Sequence, residues 1–454
     1  MSGSGASGTC PRRRGRRGRP RYDRAMPSAL RPLGGVDRRA LGVAGAAAAG
    51  AAGLAALLRW RLWAHGVPDT PVPPVDAYFD ADALGPNRDY RRGVWAMAGA
   101  GAVLAPAVAV AVALTGRRWR GRLVRLAGGR TWRAGLLFGA GFSIAGVVAA
   151  LPLRGARYAW GRHHGIIVQD AGPWLADVAK GAAIGAGIAA AVGAGAAVLI
   201  ARAPRTWWLG LAGAVAALVY AGSLLAPVLI EPLFQRTRPL QDRELAAQVL
   251  ELARRQGVSA ERVLVNDASS RTVAANAYVS GLGASRRIVL YDTLLRDFPR
   301  DQVLVVVAHE LAHVRHRHVL KGTTWGAVMA APVCLLAFAL VGARTGWGRP
   351  GAGRDGADLV VRRLAIVAAT ASVAAALAAP LGNVVSRAYE READWTALRT
   401  AQDPAATTGL FQGFVRRSLG VPDPPRAYQL WFGSHPTPIA RIGMAEEWAR
   451  RRQP

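Results

Sequence analysis

Seven separate stretches of this chain approach or exceed the roughly 18–20 apolar residues that a helix needs to cross a bilayer. They fall at about 41–58, 94–114, 134–153, 178–200, 207–229, 323–341 and 364–382. Any one of them could be a buried helix of a soluble domain, but seven in one chain rule a soluble fold out. Several are rich in Ala and Gly rather than Leu, so each inserts weakly and their helices can pack closely. The pattern predicts a mainly α, multi-pass helical membrane protein of about seven spans, in contact with the lipid bilayer of the cell membrane.

Between the runs the chain divides further. Residues 1–40 are basic, rich in Gly and Pro and without apolar periodicity, which reads as a disordered arm, and Met26 could equally be the start. No convincing cleavage site follows the first run, so a retained span is expected rather than a removed signal. Residues 41–229 form a five-span membrane region, 323–382 a two-span hairpin, and 230–322 and 383–454 two water-facing parts. Within 230–322, residues 244–256 have helical apolar spacing, and 262–265, 272–279 and 287–291 are β-type runs with a turn at 281–285. Residues 297–318 read as one long helix with Pro299 near its first turn.

Composition bears on partners. The net charge of +30 is almost wholly arginine, since Lys180 and Lys321 are the only lysines. These arginines are spread between apolar spans rather than gathered on one face, so they fit the ends of membrane helices, and no nucleic-acid partner is expected. Cys10 lies in the basic arm and Cys334 in an apolar run, which leaves neither a disulfide framework nor a Cys-based metal site.

The chemistry lies in His309-Glu310-Leu311-Ala312-His313. Two histidines four apart share a helix face and can reach one zinc ion, while Glu310 projects beside the metal as the general base for an activated water. With only 8 histidines in the chain, the arrangement is poorly explained by chance. A catalytic zinc needs a third protein ligand, and Glu390, in Glu390-Arg391-Glu392-Ala393-Asp394, is the best candidate. Asp394 shares its face and can orient a ligand from behind, whereas Glu392 points elsewhere. His316 shares the face of His309 but lies roughly 10 Å along the helix, too far for the same ion.

These motifs resemble the type-I CAAX prenyl protease family of integral-membrane zinc metallopeptidases, related to bacterial heat-shock membrane proteases. The resemblance covers roughly residues 150–445. It includes His164, Gln169 and Asp177, the segment from Asp267 to Thr272, Asn276-Ala277-Tyr278 with Gly281, His318, and Ser434-His435-Pro436 with Arg441. It implies a small α+β zinc-metalloprotease element with one zinc per chain, acting on peptides or membrane proteins. The strand holding Asn276, Ala277 and Tyr278 would bind the substrate backbone by strand addition. His435 and Arg441 would stabilise the oxyanion or anchor the peptide.

Two matters stay open at this level. Arginine counts place residues 1–40 and 115–133 in the cytoplasm and hence 230–322 outside, whereas the resemblance implies a catalytic part facing the cytosol. Both readings put 230–322 and 383–454 on one side. The alternative function is a non-catalytic zinc-binding membrane transporter or scaffold, which would have no use for Glu310.

Overall fold

The computed structural model describes residues 66–281 and 286–452, with isolated helical positions between 42 and 53. The basic arm and most of the first apolar run lie outside the described residues. Helix α1 (Gly85–Leu114), the short Arg-rich α2 (Gly116–Leu126), α3 (Thr131–His163), α4 (Ala171–Arg202) and α5 (Trp207–Leu229) build the membrane region. Strand β1 (Thr237–Pro239), α6 (Arg243–Arg255), β2 (Arg262–Asn266), β3 (Ala277–Ser280), β4 (Arg287–Tyr291), α7 (Asp292–Asp297) and α8 (Arg300–Arg315) follow. Helices α9 (His318–Thr345), α10 (Gly353–Ala401), α11 (Pro404–Arg417), α12 (Arg426–Phe432) and α13 (Pro438–Arg450) complete the chain. Among the described residues six helices, α1, α3, α4, α5, α9 and α10, are long and apolar enough to cross a membrane. They coincide with the second to seventh apolar runs, and the chain is a multi-pass membrane protein.

The small side chains of α3 and α4 set their distance. A Cβ added at Gly139 would lie 1.9 Å from the Ala189 carbonyl oxygen, and one at Gly135 would lie 2.3 Å from that of Gly193. The backbones therefore touch where lipid-facing helices have no hydrophobic drive to associate. Phe138, Ile200, Trp207 and Val360 fill the core of this region. A separate core, centred on Val249, Ile288, Leu290, Val307 and Leu311, holds the four-stranded sheet against α6 and α8.

The sheet order is β1-β2-β4-β3, with β2 and β4 parallel and the other pairs antiparallel. Strand β3 is thus an edge. Its strand is shorter than residues 272–279 suggest, because Thr272 instead bridges Ile167 in the loop between α3 and α4. Thr272 Oγ1 donates to the Ile166 carbonyl at 2.9 Å, and Gln169 Nε2 donates to Asp177 at 2.9 Å. Through Thr272 and the Arg271–Asp177 pair, this loop and the start of α4 fasten the membrane region to the sheet-bearing part. Of the expected turn at 281–285, only Gly281 (φ 91°) is described.

The single helix expected over 297–318 is broken at both ends. Phe298 is extended (φ −125°, ψ 141°), as a residue preceding proline prefers, and α8 starts only at Arg300. At the other end Arg317 takes a left-handed conformation (φ 55°), and α9 starts anew at His318. Helix α10 runs unbroken for 49 residues, about 74 Å, far more than the ~30 Å of a hydrocarbon core. Its C-terminal third therefore continues the seventh span directly into the catalytic element.

Candidate metal centre

Helix α8 is buried around most of its circumference: Val303, Val305 to His309, Leu311 and Ala312 are all shielded from solvent. A helix apolar on every side is held by the core, and polar groups within it need partners. Gln256, at the end of α6, donates to the Ala308 carbonyl at 2.8 Å and steadies the helix beside the histidines.

His309 Nε2 and His313 Nε2 lie 3.0 Å apart. The Glu390 carboxylate, from α10, stands 3.2 Å from the first and 3.4 Å from the second. All three donor atoms fall within 4.8 Å of one another. The other ring nitrogens are engaged behind them: His309 Nδ1 donates to Asp394 at 2.8 Å, and His313 Nδ1 faces His318 Nδ1 at 2.9 Å. With their protons on Nδ1, the two rings turn Nε2 lone pairs toward each other and toward Glu390, whose Oε2 is buried without a hydrogen bond.

Such an arrangement could hold a metal ion. Tetrahedral zinc, with bonds of about 2.0–2.1 Å to nitrogen, spaces two ligand nitrogens about 3.3 Å apart. The observed 3.0 Å and the His/His/carboxylate donor set fit it, and a fourth position remains for water or substrate. Burial alone would lower the His309 pKa, but Asp394 and Glu390 overcome it and hold it at about 10. Burial and the charge on His309 push His313 down to about 3.

Glu310 lines a cavity of about 160 Å³ beside these ligands, together with Asn276, Val306, Leu410, His435 and Arg441. Burial raises its carboxyl to about 7, against the opposing pull of His309. His435, exposed on the cavity rim after α12, brings Nε2 to 3.3 Å from Glu390. Arg441, from α13, pairs with Asp394 and stacks 4.2 Å over the Phe411 ring. It stands behind His309, grips the carboxylate that orients that histidine, and also lines the cavity beside Glu310.

The three strand residues divide. Asn276 precedes β3 and is exposed at the cavity, with its carbonyl accepting from Tyr291 N–H at 3.0 Å. The Ala277 side chain is buried in the core. The Tyr278 hydroxyl bonds to Glu231 and, at 2.9 Å, to Gln235, and its burial raises its pKa. Asn276 thus stands at the cavity, whereas the side chains of Ala277 and Tyr278 are engaged elsewhere.

Glu392 does leave the Glu390 face, as the spacing requires, yet it is buried and accepts from His318 Nε2 at 2.9 Å. This contact escapes a reading by helical spacing. Five residues on from His313, His318 would point away on a continuous helix, and only the turn at Arg317 brings it back.

Residues 239–449 match peptidase family M48, and residues 96–236 match the CAAX prenyl protease N-terminal region of five membrane helices. The chain is 30% identical over 250 residues to the uncharacterized metalloprotease YhfN of Bacillus subtilis, covering 55% of this chain and 58% of that protein. It is 31% identical over 228 residues to a protease HtpX homolog of Burkholderia thailandensis, covering 44% of this chain and 73% of that protein. The crystal structure of S. mikatae Ste24p superposes with a TM-score of 0.68 at 19% identity, covering 90% of this chain and 99% of that one, and shows the same fold.

Proposed function

This chain belongs to peptidase family M48, and on that premise we propose that it is a zinc metalloendopeptidase of the membrane, cleaving peptide bonds in membrane-associated proteins or peptides. The observation that carries the proposal is the convergence of His309, His313 and Glu390 within 4.8 Å, with Glu310 in the adjoining cavity. One zinc ion held by these three residues would polarise the scissile carbonyl and acidify the attacking water.

Glu310 takes a proton from that water as its oxygen bonds to the carbonyl carbon, and passes it to the amine nitrogen as the C–N bond breaks. A carboxyl raised to about 7 suits both tasks, because it can accept and release a proton near neutral pH. His435, at the rim, is placed to donate to the developing oxyanion, and Arg441 keeps Asp394 and thus His309 in position. The free edge of β3 offers backbone groups for an extended substrate.

A second cavity of about 440 Å³ supports a membrane-associated substrate. Trp95 of α1 and Tyr428 and Phe432 of α12 line it, and it shares His435, Arg441 and Phe411 with the catalytic cavity. An apolar segment lying beside α1 would thus have a route to Glu310.

The test is peptide cleavage read by mass spectrometry for zinc-loaded, detergent-purified protein and its Glu310→Gln variant. The expected result is products that a chelator abolishes, and a loss of about 10²- to 10⁴-fold in the variant with zinc still bound. Equal cleavage by both proteins would overturn the assignment.

A further inference from the structure

We propose that Glu392 and His318 are positioning residues for His313, forming a second support line for the metal site beside that of Asp394 and His309. The inference rests on the metal-site reading above.

Each of the two histidine ligands has a ring nitrogen to anchor. His309 uses a carboxylate directly, through Asp394. His313 has no carboxylate at its Nδ1; its neighbour there is His318 Nδ1 at 2.9 Å. The protons can be placed along the whole line. His313 Nε2 faces His309 and Glu390, so His313 carries its hydrogen on Nδ1 and donates it to His318 Nδ1. His318 must then carry its own hydrogen on Nε2, which donates to Glu392 at 2.9 Å. One order of donors and acceptors satisfies every atom, and it ends on a carboxylate, as the partner chains of metal-binding histidines do.

The line is rigid. His318 and Glu392 are both buried, and the His318 ring stacks on Tyr389 at 4.6 Å with 9° between the planes. The other side of Glu392 is held by His316 Nδ1 at 3.4 Å and by Lys321 Nζ at 4.0 Å. His316 also meets Thr396 Oγ1 at 2.9 Å. The left-handed turn at Arg317 aims the device, since it redirects the chain so that α9 opens with His318 facing His313.

The experiment measures zinc affinity by competition with a calibrated chelator, in full-length protein. His318→Phe keeps the stack on Tyr389 and removes both ring nitrogens; its zinc affinity is expected to fall roughly 10- to 100-fold. Glu392→Leu breaks the same line at its other end and stands in should the phenylalanine variant not fold. The double variant is expected to bind zinc no more weakly than His318→Phe alone, because Glu392 acts only through His318. Glu392→Gln, which retains an oxygen for His318 Nε2–H, is expected to recover most of the affinity, a rescue that a mere packing role would not produce. The visible spectrum of cobalt-loaded protein should change in His318→Phe as His313 loses its fixed orientation. Zinc affinity within twofold of the parent in His318→Phe, or losses that multiply in the double variant, would overturn the proposal. Failure of the parent protein itself to bind zinc would instead overturn the metal-site reading on which it rests.

Discussion

The membrane region and the catalytic element are held together by opposite means. Helices α3 and α4 meet through absent side chains, with backbone against backbone at Gly135, Gly139, Ala189 and Gly193. The catalytic element buries Glu390, Glu392, Asp394, His309 and His318; Asp394 pairs with His309 and Glu392 with His318, while Glu390 faces the two proposed ligand histidines. The first region is therefore sensitive to added volume where the two backbones meet. The second tolerates little change in its donors and acceptors, because an unpaired buried polar group forfeits its hydration without compensation.

Substitutions that attack each region on its own terms separate the two. The largest effect is expected at Asp394→Ala, which removes the anchor of His309 and leaves the Arg441 guanidinium buried without its partner. Zinc affinity, read by chelator competition, should fall roughly 10- to 100-fold. An unchanged affinity would mean that the buried charges do not tune the metal and would remove half of the contrast.

Gly139→Leu is expected to destabilise the membrane region by about 1–3 kcal/mol, read as a lower melting temperature in detergent, because its side chain meets the Ala189 carbonyl. Gly141→Ala, two residues along the same helix and facing open space, should leave stability unchanged or raise it by up to about 1 kcal/mol. Equal behaviour of the two would show that close helix approach does not govern this region.

The smallest effect sharpens the account of the catalytic element. Burial would raise the Asp292 carboxyl, but the Ser269 hydroxyl and the backbone N–H groups of Ser269, Thr293 and Ala268 outweigh it and lower its pKa below 3.8. A lowered carboxylate pKa contributes stability that is complete above the unfolded value and is lost as pH falls through the folded one. Asp292→Asn should therefore cost about 1 kcal/mol at neutral pH. The gap between the melting curves of the two proteins should narrow as pH falls below 3.8 through the lowered folded value. A constant gap across that range would assign the effect to packing.

Much of this was legible in the chain. Six of the seven apolar runs correspond to membrane-length helices, since twenty apolar residues have no other stable arrangement in a bilayer. The spacing of His309 and His313 places both rings on one turn for the same local reason. Less legible were the events that depend on one residue's backbone. Pro299 delays the start of α8, and Arg317 restarts the chain as α9, and neither changes the apolar pattern. Glu392 was placed on the correct face by helical geometry, but nothing in its spacing says that this face is buried against His318.

The amino-acid sequence by itself determined the membrane-spanning helices and the donor types at the metal centre, because both follow from hydropathy and from contacts three or four residues apart. Only the tertiary structure decided what stands behind each ligand. Glu392 and Asp394 on α10, His318 on α9 and Arg441 on α13 come from three separate helices, and their meeting around α8 depends on how these helices pack. A hydrogen bond requires its partners to lie within about 3 Å, a condition that only the assembled packing of those helices can satisfy.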